Sequence, residues 1–137
     1  DYLSGTADYL YDDTGKRGGL DEGVRFVVMG DLNASPHEGE SVPGAIAQLL
    51  NHPRITDPRP ASLGARRARP HSPHSALHTA SWGMRVDYVL PSSNMQVLDA
   101  GVFWPEPDDA LSHLVSDRGT GSDHRLVWVD IHTHTRN

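Results

Sequence analysis

The sequence contains no cysteine, which excludes disulfides, thiolate zinc sites and cysteine nucleophiles and leaves the redox compartment open. Long apolar runs are missing too, and the longest is far too short to cross a bilayer, so no membrane span is expected. The opening Asp1-Tyr2-Leu3-Ser4 lacks the basic and then apolar pattern of a signal peptide; any targeting segment is expected upstream. Positive charge is in short supply. Twelve Lys+Arg against eighteen Asp+Glu give a formal net charge of -6, which argues against an affinity built mainly on sequence-independent attraction to nucleic-acid phosphates. A phosphate substrate stays open, because a divalent cation held by carboxylates supplies the positive charge that the side chains lack. There is no Gly-x-Ser-x-Gly elbow, no internal repeat, no heptad pattern and no linker clean enough to divide two domains.

What is present is 137 residues, 36% of them hydrophobic, the size of one ordinary domain or part of one. Three apolar, β-rich runs, Arg25 to Met29, Val86 to Leu90 and Leu126 to Ile131, favour a folded chain despite ten prolines and thirteen glycines. The pattern Tyr2, Leu3, Ala7, Tyr9, Leu10 predicts a short helix that ends near Asp12-Asp13-Thr14-Gly15, and Val24 to Met29 a buried strand ended by Gly30. A short amphipathic helix is expected over Ala45 to Leu50, halted by His52-Pro53. From Arg54 to Ser75 the chain is rich in Pro, Arg, Ser and His without a period, which predicts a long surface segment rather than a core element. Strands are expected at Arg85 to Leu90, Gln96 to Trp104 and Arg125 to Ile131, with Asp108 capping a short helix that runs to Val115.

Three motifs could carry chemistry. Gly30-Asp31-Leu32-Asn33 follows directly on a strand, so Asp31 and Asn33 leave it at alternate positions. The carboxylate could orient or deprotonate a water and the amide could donate to a phosphate oxygen; a simple turn is the alternative. Asp87 lies inside the apolar strand Arg85-Val86-Asp87-Tyr88-Val89-Leu90 and needs a partner there, because a buried unpaired carboxylate is costly. A histidine, whose ring it would orient, and a salt bridge to Arg85 are the two candidates. Ser122-Asp123-His124 stands just before the last strand. Asp123 offers a hard oxygen for Mg2+ and His124 a phosphate contact or a proton for a leaving oxygen, against the alternative of a polar turn. A serine triad within these three consecutive residues is rejected, since acid and nucleophile must lie on opposite sides of the imidazole.

Other clusters carry less. Arg54, Arg59, Arg66, Arg67 and Arg69 are read as solvating a loop. His71, His74 and His78 are separated by Pro73 and preceded by Pro70, which prevents a helix that would align them on zinc. His132 and His134 are read as tail residues.

The order Gly30-Asp31-Leu32-Asn33, Arg85-Val86-Asp87-Tyr88-Val89-Leu90, Ser122-Asp123-His124-Arg125 resembles the C-terminal motifs of the endonuclease/exonuclease/phosphatase superfamily. With Pro91-Ser92 and Val102-Phe103-Trp104-Pro105, the stretch from Phe26 to Ile131 is similar to a bacterial subgroup of large, often secreted members. The resemblance implies a DNase I-like α+β fold, a four-layer α/β/β/α sandwich with the active site at one edge of its two sheets. It also implies that residues 1–137 are the C-terminal portion of one such domain, because the N-terminal motifs, including a metal-binding Glu, have no counterpart here. By position, Asp31 would activate the nucleophile, Asn33 contact phosphate, Asp87 support the histidine, Asp123 bind metal and His124 stabilise the phosphate in the transition state. The implied function is a metal-dependent phosphoester hydrolase using Mg2+ (or Mn2+ or Ca2+), with a nuclease or other phosphodiesterase as first expectation and nucleic acid among the candidate substrates. A phosphomonoesterase or lipid phosphodiesterase of the same superfamily, and a non-catalytic binding or scaffold domain that keeps the fold, are the alternatives. The fragment alone, without its missing N-terminal half, is expected to be inactive.

Overall fold

A computed structural model of the chain describes residues 1–133. It contains both helices and strands, so the class is α+β. In chain order these are β1 (Val27–Asp31), α1 (Ala45–Leu50), α2 (Leu63–Ala68), β2 (Asp87–Pro91), β3 (Gln96–Val102) and β4 (Val127–His132). Single 3-10 turns lie at Tyr2–Ser4, Ser75–Leu77 and Ser112–Val115.

β1 and β2 pair antiparallel, with Val28 opposite Leu90, Gly30 opposite Tyr88 and Asp31 opposite Asp87. Alternation turns Val28, Tyr88 and Leu90 to one face, where they meet Ile46 and Leu49 of α1, Ile55, Leu32 and Phe26 in the apolar core. Val27, Met29 and Asp31 occupy the other face, and Met29 is 70% exposed there. The period-2 pattern therefore buries one side of the pair and leaves the other uncovered, with the two carboxylates at its end. β3 and β4 form a second antiparallel pair, with Val97 opposite Ile131 and Val102 opposite Val127, and β4 packs beside β2.

Several sequence expectations change. The helix predicted to end near Asp12-Asp13-Thr14-Gly15 is only the turn Tyr2–Ser4, because Gly5 adopts a left-handed φ of 73° and ends it. β1 starts at Val27 rather than Val24, and Gly30 does not end it. At φ 138° Gly30 stays in the ladder and carries the strand on to Asp31. The segment after Arg54 is not merely a surface loop. Ser62 caps α2, its Oγ accepting from the Gly64 and Ala65 amides at 3.1 and 3.4 Å and donating to the Trp104 carbonyl at 2.6 Å. A Cβ on Gly64 would lie 2.1 Å from the Trp104 carbonyl oxygen, so only glycine lets the two backbones approach this closely. The expected helix from Asp108 shrinks to the turn Ser112–Val115.

The arginines also differ from expectation. Arg54 is half-buried and donates to the carbonyls of Leu3, Leu20, Asp21 and Val24 at 2.8 to 3.4 Å, tying the N-terminal segment to the core. Arg67 pairs with Glu106 at 2.8 Å, and Arg69 donates to the Ser81 carbonyl at 2.9 Å. His132 ends β4 instead of lying in a tail, while His134 falls outside the described residues.

Candidate active site

Three segments meet at the open end of β1 and β2. Asp31 arrives as the last residue of β1, directly across the ladder from Asp87, the first of β2. His124 arrives on the approach to β4 and is joined to the Thr79–Met84 turn by a bridge to Ala80. Its Nδ1 lies 3.0 Å from both carboxylate oxygens of Asp87. One ligating atom from each of Asp31, Asp87 and His124 falls within 4.8 Å of the others, Asp31 being exposed and the other two half-buried.

The partner of Asp87 is thus the histidine and not Arg85. Arg85 turns to the opposite side, where its two terminal nitrogens donate to the two oxygens of Asp57 at 2.8 and 2.6 Å. Burial alone would raise the Asp57 carboxyl, but the hydrogen bonds and charge of Arg85 outweigh it and hold the group below its ordinary range. The same guanidinium lies 4.5 Å from the ring centre of Tyr88. The Tyr88 hydroxyl donates to the carbonyls of Ala34 at 2.7 Å and Arg85 at 3.1 Å, and burial pushes its pKa up to about 12. Tyr88 is therefore a permanent donor near neutral pH, and the bond to Ala34 fixes the loop that follows Asn33.

Thr79 does the equivalent for Asp87. It is fully buried, and its Oγ1 accepts from the amides of Val86 and Asp87, both at 3.0 Å. Its carbonyl accepts from the Arg125 amide at 2.7 Å, so one residue joins the segments that carry Asp87 and His124. Arg125 is itself buried, stacks 4.6 Å from the Trp104 ring centre and donates to the Val115 carbonyl at 2.9 Å, which sets the path of the loop leading to Asp123.

Asn33 is exposed, with a left-handed φ of 46°, and its backbone N–H donates to Asp31 Oδ1 at 2.7 Å. Both the turn and the rim placement expected of this motif are present together. Asp123 lies beside the cluster rather than in it. Its carboxylate is held by Arg118, whose hydrogen bond lowers its pKa, and its carbonyl accepts from the Ser81 amide at 2.8 Å. Ser122 receives the His124 amide at 3.0 Å, a turn contact without a nucleophilic role. The histidines of the middle segment serve packing: His78 is buried 3.1 Å from Glu38, and His74 stacks on His37 with ring centres 3.7 Å apart.

Sequence reasoning missed Thr79, Trp82 and Arg118. Trp82 makes a T-shaped contact with His124, ring centres 5.0 Å apart. The available signal was an aromatic residue followed by glycine, Trp82-Gly83, in the loop feeding the strand that bears Asp87.

Two carboxylates and an imidazole form a donor set that could hold a divalent cation and lacks the thiolates a soft ion prefers. Carboxylates beside a carboxylate-held imidazole, at one strand end of an α+β chain, make a centre of the kind hydrolases use to move protons. The chain belongs to the endonuclease/exonuclease/phosphatase family, whose model matches residues 1–124. That family consists in general of hydrolases acting on phosphoester bonds, and its members usually use divalent metals. No curated protein and no solved structure matches the chain.

Proposed function

We propose that the chain carries the acid, base and histidine half of a metal-dependent phosphodiesterase, in which water attacks the phosphorus in line with the leaving oxygen. The observation that carries this reading is the contact of His124 Nδ1 with both Asp87 oxygens at 3.0 Å, with Asp31 across the ladder. Held by Asp87 through Nδ1, the imidazole is fixed in orientation and keeps Nε2 for a phosphate oxygen. Asp31, exposed at the rim, orients the attacking water and accepts its proton; Asn33 donates to a non-bridging oxygen. A bound divalent cation would offset the charge of the phosphoester and of the pentacoordinate state. Asp123 is the proposed ligand, once its carboxylate exchanges Arg118 for the ion.

The uncovered face of β1, with Met29 70% exposed, supports the reading that residues 1–137 are one part of a larger sandwich domain whose second sheet covers that face. A second reading of the metal is favoured by the 4.8 Å cluster itself: the ion sits among Asp31, Asp87 and His124.

Calorimetric Mg2+ or Mn2+ titration and turnover of bis(p-nitrophenyl) phosphate by the natural full-length protein separate the two. Asp123→Asn is expected to abolish cation binding. His124→Gln is expected to retain the ion while kcat falls by about 10²- to 10⁴-fold, the usual contribution of a positioned acid or base. The reverse pattern places the ion on His124. Unchanged turnover in both Asp31→Asn and His124→Gln would remove the phosphodiesterase assignment.

A further inference from the structure

We propose that Trp82 is a specificity-determining residue, a fixed aromatic platform beside His124 on which the nucleobase of a nucleotide substrate stacks. The proposal rests on the phosphodiesterase reading and names the substrate class of that site.

Trp82 stands on a turn closed by the pairing of Ala80 with Met84, and it is 41% exposed. Leaving so large an apolar ring half in water forgoes burial that a core position would give it. The turn is nonetheless firmly held. The Gly83 amide donates to the Ala80 carbonyl at 3.0 Å, the Ser81 amide to the Asp123 carbonyl at 2.8 Å, and Arg69 to the Ser81 carbonyl at 2.9 Å. Gly83 has φ 94°, and a Cβ there would lie 3.2 Å from the Arg69 guanidinium carbon. A side chain carried on a backbone held in this way loses less freedom on binding than one on a loose loop, which suits a recognition platform. The Trp82 ring centre lies 5.0 Å from that of His124, so the indole adjoins the imidazole that would meet phosphate.

The surroundings select the ligand. Arg69 supports the turn from beneath, His124 adjoins the indole, and Arg118 is held on Asp123 next to His124. A lipid tail would need a continuous apolar patch, whereas a nucleobase needs one flat face beside a site for its own phosphate, and cationic neighbours suit the pair. The net charge of -6 argues against tracking a long polyanion, so the platform fits one nucleotide unit next to the scissile bond. The competing view makes Trp82 only a packing partner that shields the Asp87–His124 pair.

Kinetics on the natural full-length protein separate these views, using thymidine 5′-(p-nitrophenyl phosphate) and the base-less methyl p-nitrophenyl phosphate. In Trp82→Ala the ratio of kcat/KM for the two substrates is expected to fall by about 5- to 150-fold, the range measured for base stacking on aromatic residues. The fall should come mainly through KM, with Trp82→Phe retaining most of the preference and the pH profile unmoved. Equal losses on both substrates, or a shifted pH profile, would overturn the platform and leave Trp82 acting through His124. The Trp82 indole N–H resonance, followed by NMR as thymidine 5′-monophosphate is added to the unmutated protein, gives an independent reading. A saturable shift is expected, and its absence overturns the proposal. If the unmutated protein hydrolyses neither substrate, the phosphodiesterase reading fails, and the titration still decides whether Trp82 holds a nucleotide.

Discussion

Arg85 and Asp87 lie two positions apart at the start of β2, one just before it and one its first residue, yet each finds its partner elsewhere: Asp57 for the arginine, His124 for the aspartate. Had the two paired with each other, the imidazole would have lost the carboxylate that orients it. Tyr88, next to Asp87 in the chain, donates to the Ala34 and Arg85 carbonyls. Its raised pKa has a consequence for stability. The unfolded chain releases this proton near pH 10 and the folded one only near pH 12, so the folded state binds more protons between those values. The contribution of Tyr88 is therefore complete below pH 10 and lost as pH rises toward about 12. Urea unfolding midpoints measured from pH 9 to 12 are expected to fall more steeply for the unmutated protein than for Tyr88→Phe; parallel curves would show that the buried hydroxyl carries no such linkage.

Among the elements, strands that alternate cleanly were legible in sequence and helices built from small residues were not. β2 and β4 fall where the apolar runs predict them, and α1 matches its prediction because Ile46, Leu49 and Leu50 mark one face ahead of Pro53. α2 was invisible because its buried residues are Gly64 and Ala65, which leave no hydrophobic period; burial there depends on close backbone approach to Trp104. The candidate site followed the same rule. Asp31, Asp87 and His124 adjoin apolar strands that announce them, whereas Thr79 and Trp82 belong to a turn fixed by hydrogen bonds between distant segments. Ser62 is the one local signal in the α2 region, since its hydroxyl serves both the helix start and Trp104. Ser62→Ala is expected to lower stability by about 0.5–2 kcal/mol, the usual cost of losing an N-cap, in chemical denaturation. A change within error would mean that the cap is satisfied by water.

For the whole molecule, the balance between the two faces of β1 matters most. One face is closed by α1 and Ile55, while the other presents Val27 and Met29 beside Asp31. An uncovered apolar strand face promotes association between copies. Residues 1–137 produced alone are expected to sediment with a concentration-dependent mass, and Met29→Lys is expected to shift them toward monomer. In the larger domain proposed above, the same substitution should destabilise, because it would bury an unpaired charge against the second sheet. Equal behaviour in both contexts would show that this face remains in water throughout.

The bond from Tyr88 to Ala34 spans 54 residues and that from His124 to Asp87 spans 37, so the contacts that hold the centre together join remote partners. Closing such loops adds little to the equilibrium cost but slows folding, because distant segments must meet before any contact rewards them. The Asp87–His124 contact must wait until two segments 37 residues apart have met, so in a refolding chain it is expected to report on long-range assembly rather than on local structure.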